Sequence, residues 1–285
     1  MLSVSVLIAL QSVSAAQAAA PDPLAGMDCS KFEVVKQDGG AAITVDAVID
    51  GHEKTLQLDT GASASELGDV SDAGLTGNSV KIGNTELGPL WFMKQSTGGN
   101  TLGLDALIGQ VVAIDYSRSR ICFSKPAKFP FAVYSATHWS PAVIREGHLW
   151  VPVEIGAKEY KNFFFDTGSD LLPLFTDASL WRALTALSDP KSAHHVLSGP
   201  SWGESMKLIG SEIKATVRIG DVEVASSPVA YFQPAKPTTF ATDQSGADGL
   251  FGNALVSNHI VLLYLSSRPL FGLLGAESEL GAQKT

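Results

Sequence analysis

The stretch Phe-Phe-Phe-Asp-Thr-Gly-Ser at residues 163–169 ends an apolar run with an aspartate and a tight turn, and the chain contains a second copy of this arrangement. Residues 55–63 read Thr-Leu-Gln-Leu-Asp-Thr-Gly-Ala-Ser, so a strand-like run again leads into Asp-Thr-Gly. A single tripeptide of this kind is weak evidence, because short motifs also occur by chance. Two copies in the same local context indicate an internal repeat, and a repeat constrains the fold of the whole chain.

Two further pairs of segments follow the Asp-Thr-Gly copies in the same order. Apolar and polar residues alternate around a turn at residues 80–87 and again at residues 217–224, a pattern typical of a β-hairpin. An aspartate followed by an apolar pair and a glycine occurs at residues 105–109 and at residues 248–252. Three pairs of segments in one order predict that the chain contains two homologous lobes.

The segments around these repeats favour β-structure. Residues 42–49 and 149–155 are rich in β-branched and aromatic side chains and are bounded by turn residues. The best helix candidate is short and covers residues 177–187. We therefore predict an all-β, bilobal fold in which residues 21–130 and residues 131–285 form two homologous, barrel-like lobes.

The second lobe is longer than the first. The distance along the chain is 50 residues from Asp59 to Gly109 and 86 residues from Asp166 to Gly252, a surplus of 36 residues. Most of this surplus precedes the second repeated segment, and it includes the turn-rich stretch at residues 198–204.

The composition excludes several classes of function. Twenty basic and 29 acidic residues give a net charge of -9 at pH 7, which argues against nucleic acid or an anionic membrane surface as a partner. After the N-terminal segment, no apolar run reaches the ~20 residues that a membrane span requires. The six histidines form no His-x-x-x-His pair and there are only two cysteines, so no metal site is predicted.

The N-terminal segment differs from the rest of the chain. Residues 1–20 carry no charge, and an apolar run leads into alanines that include the cleavage-like Ala-Gln-Ala at residues 16–18. We predict a signal peptide and an exported protein, periplasmic or secreted. The usual positively charged start is missing, so an upstream start or an alanine-rich tail is the alternative. Cys29 and Cys122 fit an exported protein with one disulfide, and two free buried thiols are the alternative.

The two aspartates of the repeat can perform one chemistry together. Asp59 and Asp166 each follow an apolar strand and precede a glycine that permits close backbone approach. If an approximate two-fold axis relates the lobes, the two loops meet and the carboxyls share a proton. One carboxylate can then take a proton from water while its protonated partner donates to a peptide carbonyl oxygen. This reaction requires no metal, cofactor or covalent intermediate.

The two Asp-Thr-Gly-Ala/Ser loops, each followed by an apolar-apolar-glycine segment, resemble those of two-lobed, pepsin-like aspartic peptidases. The individual lobes also resemble the compact retroviral-type protease subunit, because Asp-Thr-Gly-Ala-Ser at residues 59–63 and its spacing to Leu-Ile-Gly at residues 107–109 are short. The resemblance implies an acid-protease fold with a peptide cleft between the lobes, and Asp59 and Asp166 as the catalytic residues. The absence of an Asn-x-Ser/Thr sequence is compatible with a bacterial, exported member of this class.

The same resemblance implies roles for other loop residues. A threonine of each loop would form hydrogen bonds across the axis, and the glycines would surround the carboxylates with backbone. A serine would hydrogen-bond to Asp166, whereas Ala62 cannot do so for Asp59, so the two aspartates need not be equivalent. Residues 107–109 and 250–252 would pass beneath the catalytic loops. The supporting residues are Thr60, Gly61, Thr167, Gly168 and Ser169.

The first lobe departs from the pepsin pattern at the flap that covers the substrate. Only residues 66–79 lie between the first loop and the next strand, and they contain no tyrosine. We expect this flap to be truncated or absent. The longer second lobe would then supply the cover through Trp202, and a tryptophan on an ordinary hairpin is the alternative.

Both aspartates and both threonines are present, so we predict an aspartic endopeptidase that acts as a monomer on a polypeptide in the inter-lobe cleft. The alternative is a non-catalytic peptide-binding or inhibitor-like protein on the same bilobal fold. A pair of retroviral-type lobes that must dimerise between chains is disfavoured, because one chain already supplies both loops.

Overall fold

The computed structural model describes residues 21–37, 40–68, 77–94, 99–201, 204–236 and 246–275. Within these ranges the strands, which are numbered in chain order, form three sheets. One sheet lies in each lobe, and strands from both lobes form the third.

The sheet of the first lobe contains β2 (Glu33–Gln37), β3 (Gly40–Ile49), β4 (His52–Leu58), β5 (Glu66–Leu67), β6 (Asn78–Ile82), β7 (Thr85–Leu90), β8 (Met93–Lys94) and β9 (Asn100–Leu102). The strand order is β7-β6-β3-β4-β9-β5-β8, with β2 paired to β3. The two central strands, β4 and β9, are parallel.

The sheet of the second lobe repeats this arrangement. It contains β13 (Val143–Arg145), β14 (His148–Ile155), β15 (Lys158–Asp166), β16 (Leu174–Thr176), β17 (His195–Ser201), β18 (Glu204–Glu212), β19 (Val217–Ile219), β20 (Val222–Ala225), β21 (Val229–Phe232) and β22 (Gly249–Gly252). From one edge the order is β20-β19-β14-β15-β22-β16-β21, which matches the first lobe strand for strand. β18 and β17 extend the other edge, and β13 pairs with β14 as β2 does with β3.

The third sheet joins the two lobes. It contains β1 (Asp28–Lys31), β10 (Val111–Asp115), β11 (Arg120–Ser124), β12 (His138–Pro141), β23 (His259–Tyr264) and β24 (Leu270–Gly275). The order is β1-β11-β10-β23-β24-β12, so three strands from the first part of the chain lie on one side of the centre and three from the second part lie on the other. At the centre β10 and β23 are antiparallel, with Ala113 opposite Leu262. The predicted all-β, bilobal fold is confirmed, while the exact lobe limits stay a prediction.

Side-chain burial explains why these segments form strands. In β4 residues 52–55 are exposed or half-buried, and the fully buried Leu56 and Leu58 then stand on either side of the half-buried Gln57, as expected for a strand with one face on the core. All five residues of β10 are buried, because this strand lies in the middle of the sheet that joins the lobes. Beneath the second Asp-Thr-Gly loop, the rings of Phe165, Phe251 and Phe271 pack with centroids 5.2 to 5.5 Å apart.

The predicted helix of the second lobe is present as α2 (Ala178–Thr185), and it follows the short α1 (Phe131–Ala136) in the chain. Asp177 caps α2 by accepting a hydrogen bond from the backbone N–H of Leu180 at 2.7 Å. The buried Trp181 fixes the helix to the sheet, because its Nε1 donates to the Ala230 carbonyl of β21 at 2.9 Å.

Most of the surplus of the second lobe consists of α2 and the β17–β18 hairpin. These elements lie between β16 and β19, whereas only ten residues separate β5 from β6 at the equivalent point of the first lobe. The prediction that most of the surplus precedes the second repeated segment is confirmed.

The third predicted pair of repeated segments is wrong in its register. β4 pairs in parallel with β9, whose last residue, Leu102, precedes Gly103. β15 pairs in parallel with β22, whose last residue is Gly252. Gly103 therefore corresponds to Gly252, and Gly109 does not. Between equivalent residues the spacing from aspartate to glycine is 44 in the first lobe and 86 in the second.

For the same reason, residues 107–109 do not pass beneath the first Asp-Thr-Gly loop. Leu104–Leu107 form a 3-10 turn and Ile108 is 47% exposed, so this segment leaves the loop. The two segments look alike because Asp105 and Asp248 both stand close to an apolar pair. Asp105 follows β9, however, whereas Asp248 precedes β22.

The two cysteines form a disulfide between neighbouring strands. Cys29 of β1 lies directly opposite Cys122 of β11, and the sulfur atoms are bonded. The bond closes a long loop, since 93 residues separate the two positions in the chain. It fastens the first strand of the described chain to the sheet that joins the lobes.

An ion-pair cluster holds the residues just before β1. The carboxylate of Asp22 accepts hydrogen bonds from Arg118 and Arg120 at 2.7 Å, and the Arg120 Nε donates to Asp115 at 2.9 Å. The hydrogen bond from Arg120 holds the pKa of Asp22 well below its usual range. Leu24 is buried against the outer face of the joining sheet. None of the helices in the described ranges has the length and apolar character needed to cross a membrane.

Loss of the disulfide should destabilise the fold. The Cys29→Ala/Cys122→Ala variant should lose about 2 to 4 kcal/mol of unfolding free energy, because a cross-link over a long loop restricts the unfolded chain. Urea unfolding at constant pH measures this difference. A reducing agent should destabilise the wild type by a similar amount and leave the variant unchanged. Equal stability of reduced and oxidised wild type would contradict the prediction.

Candidate active site

The two Asp-Thr-Gly loops meet between the lobes. Asp59 follows β4 directly and Asp166 is the last residue of β15, so both stand at the ends of equivalent central strands. Each strand has a parallel neighbour, β9 or β22, and the backbone N–H of Asp59 donates to the carbonyl of Leu102 in β9 at 3.0 Å. The strands therefore fix where each aspartate leaves its sheet.

Reciprocal hydrogen bonds between two buried threonines connect the loops. The backbone N–H of Thr60 donates to Oγ1 of Thr167 at 2.9 Å, and the N–H of Thr167 donates to Oγ1 of Thr60 at 3.0 Å. Each hydroxyl then donates into the other lobe, Thr60 to the Phe165 carbonyl and Thr167 to the Leu58 carbonyl, both at 2.9 Å. Four hydrogen bonds in a site without solvent access thus hold the two loops together.

The glycines of the loops allow the two carboxyl groups to approach. A Cβ atom on Gly61 would fall well inside contact distance of the Asp166 carboxyl, and one on Gly168 would lie 2.6 Å from Cγ of Asp59. Each aspartate therefore packs against the backbone of the opposite loop. Any larger residue at either glycine would push the carboxyls apart.

The hydrogen bonds to the two carboxyls differ. Oδ1 of Asp59 accepts from the backbone N–H groups of Gly61 at 2.9 Å and Ala62 at 3.1 Å. Oδ1 of Asp166 accepts from the N–H of Gly168 at 2.9 Å, and its Oδ2 accepts from the hydroxyl of Ser169 at 2.6 Å. The structure thus brings together every predicted supporting residue of the two loops.

Burial and proximity make the pair hold a proton. Burial raises the pKa of Asp59 well above its usual value, and the charge of Asp166 and a hydrogen bond between the two carboxyls raise it further. The backbone N–H groups of Gly61 and Ala62 lower the pKa in part. The residues Asp59 and Asp166 are only 8% and 9% exposed, so ionising both would place two like charges in a poorly solvated site.

A polar network that sequence reasoning missed supports the second loop. Asn253, the first residue of α3 (Asn253–Val256), is buried, and its Nδ2 donates to the Thr167 carbonyl at 2.9 Å and to Oδ1 of Asp170 at 3.0 Å. Its Oδ1 accepts from the hydroxyl of Tyr116 at 2.7 Å. Burial raises the pKa of Asp170, against the hydrogen bond from Asn253. Burial also raises the pKa of Tyr116 well above its usual value, and the charge of Asp170 adds to this.

The first loop has a different support. Leu104, which follows Gly103 as Asn253 follows Gly252, is buried and apolar. Behind it, Ser65 donates its hydroxyl to Asp105 at 2.7 Å and accepts from the N–H of Gly103 at 3.0 Å. The sequence signal for Asn253 is its position directly after Gly252, the glycine of the second repeated segment.

The predicted substrate cover at Trp202 lies outside the described residues. β17 and β18 pair up to Ser201 and Glu204 on either side of it, so the hairpin itself is present. Residues 69–76, on which the expectation of a truncated first-lobe flap partly falls, also lie outside the described ranges. Both expectations stay predictions. Among the described residues, no group of three or more His, Cys, Asp or Glu side chains could hold a metal ion.

Comparisons with known proteins give a similarity of fold only. No family model matches the chain, and no curated protein matches it in sequence. Among solved structures, it is similar to basic 7S globulin from soybean (TM-score 0.48, 9% identity, 88% of this chain and 95% of that chain). It is also similar to aspartic proteinase from Irpex lacteus (TM-score 0.45, 11% identity, 87% of this chain and 98% of that chain). A third similar structure is conglutin gamma, a basic 7S globulin from lupine seeds (TM-score 0.46, 8% identity, 88% of this chain and 95% of that chain). At these identities and TM-scores the similarities carry no argument about function, and the strand pairing described above defines the fold.

Replacement of Asp59 by asparagine should stabilise the fold at neutral pH. The pKa of Asp59 is raised in the folded protein above its usual 3.8, so the free energy of unfolding falls as the pH rises from about 4 through the native pKa. Each pKa unit of this difference is worth about 1.4 kcal/mol. Urea unfolding of wild type and Asp59→Asn from about pH 3 to pH 8 should give curves that agree in acid and diverge towards neutral pH.

The control is Asp28→Asn, since Asp28 is an exposed aspartate on β1. Its pH dependence should follow that of the wild type. Parallel curves for wild type and Asp59→Asn over the whole pH range would contradict the prediction.

Proposed function

We propose that the protein is an aspartic endopeptidase that hydrolyses peptide bonds with Asp59 and Asp166. The observation that carries this proposal is the pair of buried carboxyls, each of which packs against the glycine of the opposite Asp-Thr-Gly loop at the point where the two lobes meet. Structural ion pairs in proteins join opposite charges, whereas two acids held together gain nothing for stability at neutral pH. Two neighbouring buried carboxyls lower the stability of the fold at neutral pH, and such an arrangement is typical of a functional site.

The pair can activate water without a metal or cofactor. One carboxylate accepts a proton from a water molecule bound between the two aspartates, and the water oxygen attacks the peptide carbonyl carbon. The protonated partner donates to the carbonyl oxygen, so no charge accumulates on it. The threonine hydrogen bonds hold the carboxyls at fixed positions during these transfers, which lowers the cost of orienting them.

We propose further that the substrate is a polypeptide bound between the lobes, and that the protein is an exported monomer of bacterial type. The Cys29–Cys122 disulfide supports export, because such bonds persist in oxidising compartments. In this proposal residues 1–20 are the signal peptide, and the lobes comprise residues 21–130 and 131–285.

Hydrolysis of an unstructured protein tests the proposal. The purified protein should cleave such a substrate internally at acidic to neutral pH, and a statine-type peptide inhibitor should block the cleavage. Asp59→Asn and Asp166→Asn should each lower kcat/KM by about 100- to 10,000-fold, because each removes a proton-transfer group. Mass spectrometry of the fragments distinguishes internal cleavage from trimming at the ends.

The folded variants separate catalysis from binding. If the wild type binds the statine-type peptide but cleaves no substrate at any pH, the protein is a non-catalytic peptide-binding module and the proposal is wrong. Cleavage that survives both Asp→Asn substitutions would point to a contaminating peptidase and would also contradict it.

A further inference from the structure

We infer that Asp59 holds the shared proton in the resting site and that Asp166 bears the negative charge, because Ser169 supports the Asp166 carboxylate and Ala62 leaves Asp59 without an equivalent donor. Asp166 is then the general base and Asp59 the general acid of the reaction. The inference rests on the proposed endopeptidase function and assigns each aspartate its part in it.

The two loops are equivalent in backbone but not in donors. The N–H of Ala62 donates to the Asp59 carbonyl at 3.2 Å, and the N–H of Ser169 donates to the Asp166 carbonyl at 3.3 Å, so both loops make the same turn. Ser169 carries a hydroxyl on the Cβ atom that corresponds to the methyl carbon of Ala62. The side-chain donor that Asp166 has and Asp59 lacks in its own loop is therefore this one oxygen.

This oxygen changes which carboxyl can carry a proton. Both oxygens of Asp166 already accept hydrogen bonds, from the N–H of Gly168 and from the Ser169 hydroxyl at 2.6 Å. Donors to both oxygens favour the ionised form. The two loop donors to Asp59, Gly61 and Ala62, both reach Oδ1. Its Oδ2 is then the oxygen on which a proton displaces no donor from the loop.

The direction in which the pKa of Asp59 is shifted agrees with this geometry. Burial, the charge of Asp166 and the hydrogen bond between the carboxyls together raise the pKa of Asp59 well above its usual value. The proton on Asp59 can point towards the Asp166 carboxylate, which gives a charge-assisted hydrogen bond within the pair.

Other ionisable groups lie on the elements around the loops, and they are the same in the wild type and in the variants proposed below. Asp170 is held by Asn253, which also contacts Tyr116, and Asp105 is held by Ser65. The turn between β13 and β14 brings Arg145, Glu146 and His148 near the first loop, since Gly147 packs against Ser63. None of these groups changes when residue 62 or residue 169 is exchanged between alanine and serine.

The proton transfers balance with these roles. In the first step, Asp166 accepts a proton from the bound water, the water oxygen bonds to the carbonyl carbon, and Asp59 gives its proton to the carbonyl oxygen. The product is a neutral tetrahedral diol. In the second step, Asp166 returns its proton to the amide nitrogen as the C–N bond breaks, and Asp59 takes a proton from a diol hydroxyl. The resting protonation of both aspartates is restored.

The pH profile of kcat/KM should be bell-shaped, with an acidic limb set by the first ionisation of the pair and an alkaline limb set by the second. Two single substitutions should each shift a different limb. Ser169→Ala should raise the apparent pKa of the acidic limb by about one unit, because it removes a hydrogen bond to the carboxylate that ionises first. Ala62→Ser should lower the apparent pKa of the alkaline limb by a similar amount, because it adds a donor to the carboxyl that ionises second. In each variant the other limb should move by much less.

The double variant Ala62→Ser/Ser169→Ala tests whether Ser169 acts through the charge. It should move the acidic limb back towards the wild-type position, since one loop again carries a hydroxyl. A merely structural role for Ser169 would not be rescued from the opposite loop. If Ser169→Ala fails to fold, Ala62→Ser alone still distinguishes the two assignments.

The reverse assignment predicts the reverse result. If Ser169→Ala moves the alkaline limb, or if Ala62→Ser moves the acidic limb, Asp166 holds the proton and the inference is overturned. Profiles that do not move in either variant would overturn it as well.

A titration of the resting protein keeps this result separate from the proposed function. The carboxyl carbon signals of Asp59 and Asp166 can be followed by NMR with ¹³C-labelled aspartate and assigned with the two Asp→Asn variants. Asp166 should ionise at the lower pH and respond to Ser169→Ala, and Asp59 should ionise at the higher pH and respond to Ala62→Ser. The opposite order would refute the inference. A protein that titrates in the expected order but cleaves no peptide would refute the endopeptidase function alone.

Discussion

Two buried acids cannot ionise together at low cost, and most of the architecture described here serves to keep them together nonetheless. The reciprocal hydrogen bonds of Thr60 and Thr167 provide the direct restraint. Each threonine hydroxyl also reaches a carbonyl of the opposite lobe, so the loops cannot separate without losing all four bonds. The buried rings and aliphatic side chains beneath the loops exclude water, which makes these bonds stronger and the like-charge repulsion larger.

The repeated sheets explain how one chain can build such a site. The strand order of the first lobe recurs in the second, and the sheet centred on β10 and β23 relates the two by approximate symmetry. Symmetry brings two equivalent loops to one point but would also make the two acids identical. The second lobe breaks this identity at Ser169 and at Asn253, where the first has Ala62 and Leu104. In the proposed reaction this difference decides which aspartate is the acid and which is the base.

The sequence predicted the fold and the central residues because their patterns are local. An apolar strand followed by Asp-Thr-Gly carries its structural meaning within a few residues, and its two copies, together with the other segments repeated in the same order, predict two lobes. The prediction of the apolar-apolar-glycine segment was wrong in the first lobe because this segment is not defined by a local pattern. Its identity depends on which residues pair with β4 across the sheet, and the nearby aspartate of residues 105–109 gave a better match than the correct glycine at position 103. The disulfide and the bond from Tyr116 to Asn253 likewise join positions far apart in the chain, and no local pattern encodes them.

The central claim is that Asp59 and Asp166 share a single proton, and a neutron structure of the deuterium-exchanged protein measures this most directly. At a pH between the two apparent pKa values of the pair, the account predicts one deuteron between the carboxyls, bonded to Oδ2 of Asp59 and directed towards Asp166. Two deuterons, none, or carboxyls too far apart to be bridged by one water molecule would contradict it.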